Sequence, residues 1–398
     1  MNSRTRWIDH SVASRYHFHH DHPFHPIRLA LTEQLLRASN AWDQNLVITP
    51  QWHEEARELI QEIHRPDYVS IVSALSDPNP STLTIENAEQ YGLEADGDTP
   101  YFIHLDQVST ALAAGSITAV EEVMSGRADR VLHLSGGLHH AFPNRASGFC
   151  VYNDAAAAIT WIRKKYNARV MYIDTDVHHG DGVQWFFYTD PDVFTLSIHE
   201  TGKFLFPGTG FHHERGDSTG YGACLNLPVE PYTEDDSWLE CFNTAVHKAV
   251  QQFKPDIIIS QHGCDAHAYD PLAHIECSMR IYREMPRIIH QLANQYTDGR
   301  WVALGGGGYD HWRVVPRAWS LLWLEMCDHP LLEQIDTMHC GGELPPSWID
   351  PSTSIHRPTD ISLPTTWLDH VAQWTPMVRR DEISSNNKTM LDIALQHL

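Results

Sequence analysis

The chain has 398 residues, is 42% hydrophobic and carries a formal net charge of −23 from 28 basic and 51 acidic residues. That balance excludes nucleic-acid binding through the phosphate backbone, which takes clustered Lys and Arg, and favours cationic partners. Seven cysteines, an odd number without a C-x-x-C pair, exclude a disulfide framework and point to a reducing, cytoplasmic setting. No apolar signal segment follows residues 1–7 and no run approaches transmembrane length, so a soluble protein without membrane contact is expected.

In chain order, the first hundred residues read as helices and loops, with helical apolar spacing at 27–36 and 54–64. From residue 128 a rhythm sets in. A strand at 131–135 precedes Gly136-Gly137, and an Ala-rich helix at 154–166 is capped by Asn153 or Asp154. A strand at 170–174, a short helix at 183–188 and a strand at 193–198 follow. A long helix at 235–253, a strand at 257–260, a helix at 281–296 and a strand at 301–304 complete the series. Such alternation predicts an α/β protein with a mostly parallel sheet and right-handed crossovers. No internal repeat is visible. Beyond residue 328 the chain turns rich in Pro, Ser and Thr. It divides into a main domain at 1–330 and an extension at 331–398 that wraps the core, frayed around Asn386 and Asn387.

Five strand ends deliver polar residues: Gly136-Gly137-Leu138-His139-His140, the stretch 174–181, Ser197-Ile198-His199, His262-Gly263-Cys264-Asp265, and the glycine run 305–308 before Tyr309. In a parallel α/β sheet the carboxyl ends of strands line the ligand crevice. Asp174, Asp176 and His178 alternate with Thr175 and Val177, so an extended backbone puts them on one side. With Asp265 from a second strand they make a divalent-metal site.

The tandem His139-His140 taken alone is more simply a pair of packing histidines. Beside a carboxylate-rich metal motif it reads as general-base chemistry, with Asp174 and Asp181 as acids to orient the imidazoles. Adjacent histidines cannot share a strand face, so a turn must aim both. The glycine run lacks the rest of a phosphate-loop motif. Its plain reading is a flexible turn, and its functional one is a loop delivering the Tyr309 hydroxyl to an oxyanion. The cluster Tyr16-His17-Phe18-His19-His20-Asp21-His22 with His25 fits no standard finger. It reads as a loop at the mouth of the site, with adventitious metal affinity as the plain alternative.

These motifs, with Ala146-Ser147-Gly148-Phe149-Cys150, Phe206-Pro207-Gly208-Thr209-Gly210 and the full run 172–182, closely resemble the histone deacetylase family over roughly residues 10 to 330. The stretches 21–25, 91–93, 202–207 and 312–319 resemble a bacterial branch of that family concerned with acetoin utilization. The resemblance implies the arginase–deacetylase fold and hydrolysis of Nε-acetyl-lysine, with acetylated acetyl-CoA synthetase as a protein target. It makes Asp176, His178 and Asp265 the zinc ligands, with Fe²⁺, Co²⁺ or Mn²⁺ as other ions such donors accept. It makes His140 the general base oriented by Asp181, His139 its partner held by Asp174, and Tyr309 the group that polarises the carbonyl. Gly148, Phe149, Phe206 and Leu272 would line an acyl-lysine channel, and Asp98 would hold substrate at its rim. A structural potassium ion would draw on Asp174 and Ser197. His262 departs from the family pattern, which often has a smaller or uncharged residue there.

Three rivals share some of these features. An acetylpolyamine amidohydrolase has the same fold and chemistry and suits the same acidic surface. An arginase-type enzyme wants an acid two residues after Asp265, where this chain has His267. A non-catalytic acyl-lysine binder would not need Tyr309 and both histidines. The sequence names neither oligomeric state nor acyl-chain preference.

Overall fold

Eight short runs pair into one sheet: β1 (Thr5–Ile8), β2 (Val47–Ile48), β3 (Arg130–His133), β4 (Val170–Asp174), β5 (Val193–Glu200), β6 (Cys224–Val229), β7 (Ile257–Gln261) and β8 (Trp301–Leu304). The computed structural model describes residues 4–349 and 361–398. Among these the strand order is β2-β1-β3-β8-β7-β4-β5-β6, and every pairing is parallel.

A parallel sheet is covered on both faces, so its strands read as continuous apolar runs. Side chains of β4 divide with period two. Val170 and Tyr172 enter one core and Met171 and Ile173 the other, and Ile257 and Ile259 part from Ile258 in the same way. The helix Asp154–Tyr166 fills the first core with Ala155, Ala156, Ile159 and Ile162. Asn153 caps it, its side chain accepting from the Ala156 N–H at 2.9 Å. The helices Asp235–Phe253, Met279–Tyr296 and Val315–Met326 fill the second core with Trp238, Phe242, Met285 and Trp319.

The expected strands and the two long helices lie where the periodicity puts them, within a few residues. The short helix expected at 183–188 is Asp181–Phe187. Not expected were β1, β2 and β6, nor the 20-residue helix Leu105–Met124.

The end of the chain corrects the expectation of fraying. Asn386 and Asn387 lie inside the helix Arg380–Ala394, and Asn387 is 2% exposed. Its side-chain oxygen accepts from the Glu230 N–H at 2.8 Å, and its amide nitrogen donates to Thr233 Oγ1 at 2.8 Å and Ser237 Oγ at 3.0 Å. Asn387, expected in a frayed end, is a buried clamp between this helix and the segment after β6, while Asn386 is exposed.

Candidate active site

The five central strands, β3, β8, β7, β4 and β5, are neighbours in that order. Their carboxyl ends therefore open onto one crevice, and the polar residues at those ends converge there.

After β3 the chain turns at Gly136-Gly137, and buried Asp154 holds the turn. Its carboxylate accepts from the Gly137 N–H at 3.0 Å and the Leu138 N–H at 2.8 Å. This aims both histidines into the crevice. His139 Nδ1 pairs with Asp174 Oδ2 at 2.8 Å and His140 Nδ1 with Asp181 Oδ1 at 2.7 Å. The two Nε2 atoms face each other at 2.9 Å. Burial alone would lower His139, but the charges of Asp174 and Asp176 overcome it and raise it to about 9. Burial and the His139 charge push His140 well below the ordinary range. The pair thus divides into a protonated donor, His139, and a neutral acceptor, His140.

Asp176, His178 and Asp265 bring one ligand atom each to within 4.8 Å of one another, and all three are buried. His178 Nδ1 lies 3.2 Å from Asp176 Oδ1 and 3.1 Å from Asp265 Oδ2. Each carboxylate is oriented from behind. Asp176 Oδ2 accepts from Gln261 Nε2 and from the Gly307 N–H, both at 2.8 Å. Asp265 Oδ1 accepts from the Val177 N–H at 2.9 Å. Burial and the Asp176 charge push Asp265 up. Two buried carboxylates around one imidazole concentrate negative charge that a divalent cation would neutralise. The N/O₂ donor set suits zinc with a coordination position left open.

The glycine run passes too close to these ligands for side chains. A Cβ on Gly307 would lie 2.0 Å from Asp265 Oδ2. Buried Arg28 donates to the carbonyls of Gly306 at 2.9 Å and Gly308 at 3.1 Å. Tyr309 follows, its N–H bound to Asp270 Oδ2 at 2.7 Å and its ring 6.3 Å from that of His178. Phe149 and Phe206 stand at the mouth. Phe149 lies 5.8 Å from Tyr309, and Phe206 lies 5.0 Å from His140 and is 44% exposed. Gly148 sits between them, where a Cβ would be 2.5 Å from His140 Cδ2 and 2.9 Å from Phe206. Leu272 is half-buried, its N–H held by the other oxygen of Asp270 at 3.0 Å. Asp98 is exposed at the rim, and its carbonyl pairs with His22 Nε2 at 3.1 Å.

The structure also places the remaining residues singled out in the sequence. Asp174 and Ser197 are register partners on β4 and β5. Asp174 carries His139, the Tyr172 hydroxyl and the Asp176 N–H, while Ser197 Oγ pairs with His199 Nδ1. His262 points away from the ligands, pairing with Ser260 Oγ at 2.7 Å, and burial holds it neutral at about 3. The N-terminal histidine cluster lines the mouth, with His22 packed 4.7 Å from Phe149. Among the described residues it brings no three ligand atoms together. Sequence reading missed Asp154, Asp270, Gln261 and Arg28. Gln261 carried a usable signal: it is an amide at the end of a strand that opens with three isoleucines.

The Histone deacetylase domain model matches residues 22–326, and the chain belongs to the histone deacetylase family. Among curated proteins, it is 47% identical over 380 residues to Acetoin utilization protein AcuC of Bacillus subtilis (strain 168), covering 96% of this chain and 94% of that protein. The AcuC of Staphylococcus aureus (strain MSSA476) is 42% identical over 389 residues, 98% of this chain and 96% of the relative. Among solved structures, an HDAC homolog from Aquifex aeolicus superposes with a TM-score of 0.80 at 26% identity, covering 98% of this chain and 100% of the other. An HDAC homolog complexed with SAHA gives 0.76, at 26% identity and the same coverage. The fold is that of the arginase–deacetylase proteins, and the chain is a deacetylase-family hydrolase similar to the acetoin utilization proteins.

Proposed function

We propose that this chain hydrolyses the amide of Nε-acetyl-lysine in cytoplasmic proteins. The observation that carries the reading is the tandem His139-His140, each imidazole backed by its own carboxylate, beside a three-donor centre beneath an aromatic mouth. Asp176, His178 and Asp265 would hold zinc, with Fe²⁺, Co²⁺ or Mn²⁺ as alternatives the oxygen donors admit. A divalent ion there supplies Lewis acidity, polarising the scissile carbonyl and acidifying water.

His140, kept neutral by burial and its neighbour, takes a proton from the attacking water and delivers it to the departing amine. Asp181 fixes its tautomer through Nδ1, and Asp174 orients His139 and stabilises its positive charge. Tyr309 donates its hydroxyl to the carbonyl oxygen as negative charge develops there. Asp270 positions Tyr309 by holding its backbone N–H. Phe149 and Phe206 flank the lysine methylenes, Gly148 leaves room between them, Leu272 closes the side of the channel, and Asp98 engages the substrate backbone. A potassium ion beside Asp174 and Ser197 would be structural, since oxygen donors at adjacent register positions suit it.

All seven cysteines are free, which agrees with a reducing cytoplasm. No helix among the described residues is long and apolar enough to cross a membrane. Acetylated acetyl-CoA synthetase is the protein substrate proposed, in keeping with the acetoin-utilization names of the relatives. The excess of acidic residues also suits acetylated polyamines, and turnover decides between the two. Zinc-loaded enzyme is given an acetyl-lysine peptide and an acetylated polyamine side by side. A higher kcat/KM for the peptide supports the proposal, and a higher value for the polyamine replaces it with the small-amine reading. Loss of both activities together with metal in Asp265→Ala ties either reaction to this centre.

A further inference from the structure

A second group of metal-ligating side chains lies in the C-terminal extension, away from the crevice. His339, Cys340 and His370 bring one ligand atom each to within 4.8 Å of one another. Cys340 Sγ is 3.4 Å from His339 Nε2 and 3.1 Å from His370 Nδ1. Tetrahedral zinc, with a Zn–S bond of about 2.3 Å and Zn–N bonds of about 2.0–2.1 Å, sets its sulfur and nitrogen ligands about 3.6 Å apart. Both sulfur–nitrogen separations are therefore within about 0.5 Å of that spacing, and the two nitrogens lie within 4.8 Å of each other.

The backbone makes this arrangement in an unusual way. Cys340 has φ 49° and ψ 31°, a left-handed conformation rare for a residue with a side chain. The two glycines after it, Gly341 and Gly342, also have positive φ. This turn reverses the chain and pairs it with the segment leading to His370. The Leu368 N–H donates to the Cys340 carbonyl at 2.9 Å and the Trp367 N–H to the Gly342 carbonyl at 3.1 Å. Ligands 30 positions apart in the chain thus face one another across two strapped segments. A backbone held in this region at a ligand-bearing residue motivates a functional reading of the turn.

We propose that His339, Cys340 and His370 form a second metal site that takes a borderline divalent cation such as Zn²⁺. Water completes the coordination on the side of exposed His339. Its effect is to pin the extension. Asp369, next to His370, accepts from His267 Nε2 at 2.9 Å and the Met279 N–H at 2.8 Å, and pairs with Arg317 at 2.9 Å. His267 lies two residues beyond Asp265, so an ion at this site fastens the segment that buttresses the active-site loop. The proposal is independent of the reaction assigned to that crevice.

The test uses the full-length protein and zinc chloride alone. Cys340 is the one cysteine that is not buried, so a thiol reagent reads it directly in the unmodified chain. Chelator-treated protein should show one fast-reacting thiol, and added zinc should slow that reaction at least tenfold. Bound metal at saturation should be two ions per chain in the parent, one in Cys340→Ala and one in His339→Ala. Asp265→Ala should lose the active-site ion and keep thiol protection, which separates this site from the first. A parent that binds the same number of ions as Cys340→Ala, with a thiol reaction rate indifferent to zinc, would overturn the proposal.

Discussion

Substituting Gly307 tests the metal-binding arrangement without removing any donor. An added Cβ would lie 2.0 Å from Asp265 Oδ2 and 3.0 Å from Asp176 Oδ2, where real contacts of this kind stay beyond 3.0 Å. Something must retreat by about 1 Å, and the surroundings resist it. Asp265 is tethered through Oδ1 to the Val177 N–H, and the Gly307 N–H is bound to Asp176. Ligand distances in a working site hold to about 0.2 Å, so the displacement is roughly five times what coordination tolerates. Loss of a group that merely orients a ligand costs about 10- to 100-fold in affinity. Moving the ligand itself should cost at least the upper end, about 2.7 kcal/mol. Competition with a chromophoric chelator measures zinc affinity, and near-ultraviolet circular dichroism checks the fold. Gly307→Ala should stay folded and bind zinc at least 100-fold more weakly. An affinity within threefold of the parent would refute the close approach of the glycine run to Asp265 and the role given to it.

Three other variants probe different parts of the structure. Tyr309→Phe keeps the ring in place and should lower kcat by about 10²- to 10³-fold, the worth of one oxyanion donor. A hydroxamate should still bind that variant, and turnover at the parent rate would make the hydroxyl structural. Asn387→Ala strips partners from the Glu230 N–H and two hydroxyls, and urea denaturation should show a loss of about 2–4 kcal/mol; an unchanged midpoint would mean the C-terminal helix is dispensable. His64 is buried and held neutral at about 4, its Nδ1 paired with the Phe142 carbonyl at 2.9 Å. An unfolded chain protonates it below about pH 6.5, so its contribution is whole above 6.5 and is lost as pH falls toward 4. The stability gap between the parent and His64→Gln should therefore shrink by about 2 kcal/mol from pH 7.5 to 5, and a constant gap would place a charged imidazole in the fold.

The donors at strand ends were legible because they interrupt apolar runs. Asp176 and His178 follow Val170–Asp174 with a strand's alternation, and Asp265 ends an isoleucine-rich run. The groups that hold these donors were not legible. Asp154 reads as a helix cap and Asp270 as a loop acid, yet each spends its carboxylate on backbone N–H groups far along the chain, and such pairings carry no periodicity. Arg28 looks like one more charge on a helix and is instead buried against the glycine run. The strands β1 and β2 are two to four residues long, too short for alternation to register. Leu105–Met124 is buried nearly all round, so it lacks the polar face that marks a surface helix. Asn387 was expected to fray because chain ends with weak helical signal usually do, and here tertiary hydrogen bonds hold it in a helix.

The most direct test of the mechanism is the turnover of an acetyl-lysine peptide by zinc-loaded His140→Ala, with bound metal measured on the same sample. His140 contacts Asp181 and His139 but none of the three donors within hydrogen-bonding distance, so its removal should leave the ion in place. Without the general base the chemical step should slow by about two to four orders of magnitude. Metal retained with kcat reduced to that extent is the predicted result. Metal retained with near-parent kcat would contradict the account, because the tandem histidine would then have no part in moving the proton.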